Sequence, residues 1–445
     1  MTNELPTPEG PFVCTSANLD AATGEVALEY AIDDLRFVER LSLGAPPVGL
    51  DDSQLVVVRR LLAYLHAVAG VSYYKALIPR GLDLRPTGLD PAAAAFVEHV
   101  YLFGLGEFAH RNGLDLRDRL QPQAAATRLE PVDLSLPRRS LVPIGGGKDS
   151  LVTLEALRAA GEPVTPFAVN PRGPIIATIA ASGLASLTIR RQLDPLLFEL
   201  NARGAWNGHV PITAIVSLAA LVTAAWHGFD RVVMSNERSA DVGNLEAAGL
   251  AVNHQWSKSF AFESDLRAEL VRAVSPDLSF FSLLRPWSEL AIAHRFAAVD
   301  RYDAAFSSCN RNFHLNGEGP AGRWCRDCPK CRFVFLVLAP FVERDRLLAM
   351  VGGDLLDDPA QIDGFAELAG LQGHKPFECV GETGEAAAAL ALLATRPEWL
   401  NGAVVRALDP MLAPRRAELL RYFRSAQEPS GPHAVPPELD AVLRA

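Results

Sequence analysis

The segment LVPIGGGKDSLVTLEAL, residues 141–157, limits the possible folds more than any other stretch of this chain. An apolar run of strand type stops at Gly145, Gly146 and Gly147. Lys148, Asp149 and Ser150 then open a helical pattern. Three glycines let the backbone turn tightly and come close to a ligand. The first N–H groups of the helix have no partners within it, and the helix dipole favours an anion there. Lys148 adds a full positive charge. Asp149 is an oxygen ligand suited to Mg²⁺, or a partner for Lys148, and Ser150 can cap the helix or bond a phosphate oxygen. The expected ligand is a di- or triphosphate. The plain alternative is a flexible turn before a capped helix. Two familiar glycine patterns do not fit. The residue after Gly-Lys is Asp149, where a P-loop has Ser or Thr, and Ser150 stands where the dinucleotide pattern has its last glycine.

The flanking sequence alternates strand and helix from about residue 140 to 335. SLVPI, VTPFAVN, ASLTIRRQL, DRVVMSN and a short AAFSSCN read as strands; DSLVTLEALRAAG, VPITAIVSLAALVTAAWHG and WSELAIAHRFAAVD read as helices. Alternation of this kind predicts an α/β domain with a doubly wound, mainly parallel sheet, whose ligands bind beyond the carboxyl ends of the strands. Gly145, Asn170 and Asn236 all fall at strand ends and so share that edge. Residues 1–120 read as an α+β domain, 121–139 as a linker with proline and no periodicity, and 336–445 as a helical section.

With 445 residues, about half of them apolar, the chain has material for a large core. The formal charge of -10 argues against a nucleic-acid backbone as the main ligand but leaves room for a local basic pocket. The acidic, proline-bearing start MTNELPTPEG is not of signal-peptide type. The apolar run Ile212–Trp226 is shorter than a bilayer requires and reads as a buried helix. No membrane partner is expected, and the expected compartment is the cytoplasm. The number of copies in the working assembly is left open.

Cys325, Cys328 and Cys331 lie within seven residues, and Cys309 precedes them across a loop. Four thiolates satisfy a tetrahedral Zn²⁺, and C-x₂-C pairs reach one ion easily. A [4Fe–4S] cluster is the less favoured rival. Cys309 can instead be a catalytic thiol, with His314 as the substitute ligand. Among the histidines, His227 and His294 read as structural. His209 and His254 sit in expected edge loops and are candidates for acid/base work. Cys379, in GHKPFECVGE, is either a reactive thiol or, more commonly, a buried one.

IGGGKDS fits the short turn of the PP-loop ATP pyrophosphatases, which it resembles. That superfamily cleaves ATP to AMP and pyrophosphate and activates a carboxylate or carbonyl as an adenylate. Asn170 stands at the end of the strand that passes the adenine. Asn236, Glu237 and Arg238, in SNERSAD, can bind metal or substrate, the plain alternative being a solvated polar turn. Two departures stand out. Ile212 and Thr213 replace an Arg-Asn pair, and Glu289 stands where a lysine is common.

The wider set LEYAIDDLRFVERL, GLGEFAHRNGL, NGHVPITAI, SNERSA, WCRDCPKCRFVFL and KPFECVGE resembles one branch, the ATP-dependent UDP-N-acetylmuramoyl-L-alanyl-L-glutamate epimerases, over nearly the full length. The resemblance implies conversion of the terminal L-Glu of a nucleotide-linked muramoyl dipeptide to D-Glu through an acyl adenylate, with ATP consumed to AMP and pyrophosphate and Mg²⁺ as the cofactor. Gly145 to Ser150 would hold the phosphates. Lys148 and Mg²⁺ at Asp149 would offset charge at the α-phosphorus. The base that removes the α-proton stays open among His209, His254 and Cys309. The rival readings are an amidating or thiolating enzyme similar to 7-cyano-7-deazaguanine synthase, a tRNA modifier, and a non-catalytic nucleotide-binding protein with structural zinc.

Overall fold

Neighbouring residues of the central strands face opposite cores, and this sets the layers. In the computed structural model, which describes residues 5–243, 245–247, 249–313, 322–373 and 375–444, the strands are β1 (Phe12–Asp20), β2 (Glu25–Ile32), β3 (Leu35–Ser42), β4 (Leu82–Asp83), β5 (Pro122–Gln123), β6 (Ser140–Pro143), β7 (Val164–Val169), β8 (Leu187–Gln192), β9 (Arg231–Met234), β10 (Leu245–Ala247), β11 (Leu250–Val252) and β12 (Ser279–Ser282). Leu141, Val232 and Phe280 pack into one core, while Val142, Val233 and Phe281 pack into the other. A strand buried on both faces reads as a continuous apolar run, which is how SLVPI and DRVVM read.

The first core holds the helices Asp52–Ala69, Pro91–Gly104 and Ile212–His227. The second holds Lys148–Ala159, Glu289–Ala297 and the C-terminal helices from Pro329 on. Asp51 and Gln54 close a capping box at the start of Asp52–Ala69, and Gly228 ends Ile212–His227 in the left-handed conformation. The stretch Asp52–Leu77 is long and apolar enough to cross a membrane, but most of it is buried inside the protein, as the core helix of an α/β domain is.

One sheet of ten strands runs through the molecule in the order β12-β9-β6-β7-β8-β3-β2-β1-β4-β5. Most pairings are parallel; β1, β2 and β3 form an antiparallel meander. The meander joins the parallel strands through an antiparallel β3–β8 pairing. A buried Arg191–Glu39 ion pair, 2.7 Å from Nε to Oε1, sits at that seam. β10 and β11 form a separate hairpin.

Two differences from the sequence reading have local causes. AAFSSCN is not a strand. Its Ser307 N–H bonds the carbonyl of Gly146, and the Cys309 N–H bonds Ser307 Oγ, so neither joins a ladder. β12, only four residues long, is the strand that lies beside β9 instead.

Candidate active site

The glycine turn leaves β6 and opens the helix Lys148–Ala159 at the expected edge. Gly146 has φ +82°, and a Cβ there would lie 3.0 Å from the Ile175 nitrogen. Gly147 is the N-cap and offers no side-chain cap, so the first N–H groups of the helix are left for a ligand. A Cβ on Gly147 would lie 2.8 Å from Ser308 Oγ. Nothing stands near Gly145.

A cavity of about 370 Å³ opens at this edge. Gly145, Gly147, Asp149 and Ser150 line it from the turn, Asn236 lines it from beyond β9, and Lys258, Lys330 and Cys379 close the far side. Two lysines and the start of a helix face one cavity, an arrangement whose charge suits an anion.

Lys148 lies elsewhere. It is fully buried beneath the turn and does not line the cavity. Its ammonium contacts Asp149 Oδ1 and Glu289 Oε2. Burial opposes its charge, but the two carboxylates outweigh burial and hold it protonated. Asp149 feels burial and then Lys148, and its carboxyl is held below the usual range. Burial pushes Glu289 up, against the pull of Lys148. Lys330 Nζ stands 3.9 Å from the second Glu289 oxygen. The glutamate found where a lysine is common is therefore the buried partner of Lys148.

Asn236 is fixed by Ser282, whose Oγ accepts its N–H at 2.5 Å and donates to its carbonyl at 2.8 Å. Glu237 is buried and gives its carbonyl to Arg285 at 2.9 Å; it does not line the cavity. Asn170 also lies off the cavity. Its side chain exchanges two hydrogen bonds with the Arg191 backbone, at 2.6 and 2.9 Å, and joins the ends of β7 and β8.

The cavity ends on a network from three separate segments. Lys258 Nζ stands 3.3 Å from Cys379 Sγ. His254 hydrogen-bonds the same thiol, and its Nδ1 pairs with Glu107. His209 lies 4.6 Å from His254, ring to ring, with Nδ1 3.8 Å from Glu107. Burial alone would push the Cys379 thiol up; the Lys258 charge, the His254 hydrogen bond and Lys330 bring it down to about 6. Burial also opposes charge on His254, but Cys379 and Glu107 raise it to about 9. Burial and the charge on His254 lower His209 to about 4. At neutral pH the arrangement is a thiolate beside an imidazolium, with a neutral imidazole behind. Glu107, His209 and His254 bring ligand atoms within 4.8 Å of one another; the histidines face one Glu107 oxygen and Arg111 pairs with the other at 2.7 Å.

Cys309, Cys325, Cys328 and Cys331 converge with their sulfurs within 4.8 Å of one another and do not line the cavity, although their neighbours Ser308, Asn310 and Lys330 do. The Cys325 and Cys331 sulfurs are 3.7 Å apart. N–H groups of Cys325, Cys328 and Cys331 point at the sulfurs of Cys309, Cys325 and Cys328, at 3.3–3.4 Å. Such a set could hold one metal ion. The cluster is tied to the turn by consecutive residues: Ser307 bonds Gly146, Ser308 packs on Gly147, and Cys309 is in the cluster. His314 and His374 lie outside the described residues. His227 bonds the Leu43 carbonyl at 2.9 Å and His294 stacks on Phe341, both structural placements.

The family description of the MurL N-terminal domain matches residues 6–283, and that of the MurL C-terminal domain matches residues 305–420. The chain belongs to the MurL family. It is 48% identical to a protein of Micromonospora sp. named UDP-N-acetyl-alpha-D-muramoyl-L-alanyl-L-glutamate epimerase, over the full length of both chains. It is 47% identical to one of the same name from Xanthomonas oryzae pv. oryzae, over 96% of this chain and 95% of that one. A third of that name, from Salinispora tropica, is 46% identical over 98% of this chain and 96% of its own. The MurL family boundary falls between residues 283 and 305, and the cavity draws on both sides of it: the turn and Lys258 from one, Lys330 and Cys379 from the other.

Sequence reasoning missed Lys258, Lys330 and Glu107 as members of the site. Lys330 and Glu107 lie inside the segments WCRDCPKCRFVFL and GLGEFAHRNGL, and Lys258 lies four residues after His254. A lysine flanked by closely spaced cysteines, Lys330, was the one available signal.

Proposed function

We propose that this chain inverts the α-carbon of the terminal L-glutamate of UDP-N-acetylmuramoyl-L-alanyl-L-glutamate, through an acyl adenylate made from ATP, in cytoplasmic peptidoglycan precursor synthesis. The observation that carries this is the 48% identity along the whole of a protein named for that epimerisation. The adenylate and the PP-loop reading of the sheet are supported by the glycine turn at the head of β6 and the lysines across the cavity.

The chemistry supplies the reason for ATP. Removing the α-proton of a carboxylate would pile a second negative charge on the same group. Converting that carboxylate to an acyl adenylate removes the first charge and acidifies the α-carbon. The turn N–H groups would take phosphate oxygens, and Lys258 and Lys330 would offset the charge of the leaving pyrophosphate. Lys148 acts from below: it fixes Asp149, while Asp149 and Glu289 together offset its charge. Asp149 would hold Mg²⁺, which supplies further charge neutralisation on the phosphates.

The cysteine cluster fits a single zinc. With Zn–S near 2.3 Å, a tetrahedron has sulfurs about 3.8 Å apart, against 3.7 Å for the Cys325–Cys331 pair. Its role is structural, joining the glycine turn to the C-terminal helices.

The test is incubation with ATP, Mg²⁺ and the L-Glu dipeptide substrate in D₂O. The expected result is pyrophosphate release together with deuterium at the glutamate α-carbon. Pyrophosphate without deuterium would favour an amidating or thiolating enzyme, and neither signal would leave only nucleotide binding.

A further inference from the structure

A cavity that adenylates a carboxylate must also contain, or border, a base that reaches the adjacent α-carbon. Cys379 is the cysteine that lines this cavity, facing the glycine turn across it. It is half-buried, so its sulfur is both desolvated and open to a ligand. The two cations beside it come from separate elements: Lys258 at 3.3 Å, and His254, which is itself anchored by Glu107. The His254–Glu107 link spans 147 residues and bridges the N-terminal part of the chain to the cavity. Cys309, by contrast, has its sulfur among three others in the cysteine cluster and does not border the cavity. His209 lies one ring further back and is also absent from the lining.

We propose that Cys379 is the base that removes the α-proton of the adenylated glutamate, with Lys258 and His254 as the positioning residues that keep its sulfur anionic. This deepens the epimerase reading and rests on it. In the step, the Cα–H bond breaks and an S–H bond forms at Cys379 Sγ. The electron pair moves into the acyl carbonyl to give an enolate. A proton from water returns to the opposite face of the α-carbon. Water then hydrolyses the adenylate to the D-carboxylate and AMP, and the thiol gives up its proton to solvent. The low pKa of the thiol matches this role, because the base must be ionised at neutral pH before substrate arrives.

The experiment separates adenylation from proton transfer. Cys379→Ala, in the full-length chain, should keep pyrophosphate release within about threefold while α-deuterium incorporation falls by at least about a hundredfold. Retention of both signals overturns the proposal. Loss of both in a folded variant also overturns it, since Cys379 would then serve nucleotide binding. Failure of the unmutated enzyme to release pyrophosphate would instead overturn the adenylate reading. If the alanine variant does not fold, Cys379→Ser is read by the same two signals. A second measurement uses no variant. Iodoacetamide labelling of Cys379, located by peptide mass, should rise with a midpoint near pH 6 and be blocked by ATP with substrate. A midpoint near the ordinary thiol value of 9.0, or no protection, overturns the proposal.

Discussion

Lys148 and Glu289 stand 141 positions apart in the chain and form a fully buried ion pair beneath the glycine turn. Asp149, next to Lys148, shares the same ammonium. The turn is thus held from below by charge, while its upper side faces the cavity.

Breaking that pair should cost stability and catalysis together. Glu289→Gln leaves Lys148 with Asp149 alone, and a buried charge that loses one partner typically costs about 3 kcal/mol. Urea unfolding should show that loss. Pyrophosphate release should fall at least tenfold, because Asp149 is drawn fully onto the lysine. An unchanged unfolding midpoint would mean that the pair adds nothing net.

The glycine turn should tolerate its three positions unequally. Gly146→Ala meets both a left-handed backbone and the backbone of Pro174 and Ile175, and should cost about 1–3 kcal/mol with a large loss of pyrophosphate release. Gly147→Ala meets only the Ser308 hydroxyl, which can rotate, so its stability cost should be smaller. Thermal melts and pyrophosphate assays of the two variants check the order.

The thiolate–imidazolium pair sets a pH window for epimerisation. Cys379 is ionised above about 6 and His254 keeps its proton below about 9, so the rate should be flat between those limits and fall outside them. The charged groups that face the thiol are Lys258, His254 and Lys330, and Glu107 faces His254. Lys258→Met removes a cation from the thiolate, so the acid limb should move up by about one unit or more. Glu107→Gln removes the anion that favours charged His254, so the alkaline limb should move down. A pH profile of α-deuterium incorporation reads both.

Much of this architecture is local in sequence, and that part could be read. A strand that ends in glycines and restarts as a helix carries its own geometry, and C-x₂-C-x₂-C brings three thiols together by spacing alone. The parts that could not be read join distant segments. Glu289 gives no local sign that it neutralises Lys148. Glu107, His254 and Cys379 come from three separate segments that the fold alone brings together. The sequence reading of AAFSSCN, residues 304–310, as a short strand failed for a related reason. Its Ser307 and Cys309 spend their N–H groups on the glycine turn and within the segment, and only the fold reveals those partners.

The purified protein should carry about one zinc ion per chain and no iron. Cys328→Ser should lower the zinc content and the melting temperature by several degrees, since binding energy at such a site is folding energy. Elemental analysis and thermal melts check this. Iron in place of zinc would reverse the assignment.

Ser307, Ser308 and Cys309 connect the cysteine cluster to Gly146 and Gly147 through consecutive residues. A peroxide or a strong chelator in the storage buffer should therefore disturb the glycine turn itself and not only shelf life. Preparations handled without a reductant should lose the ability to activate the carboxylate well before they aggregate.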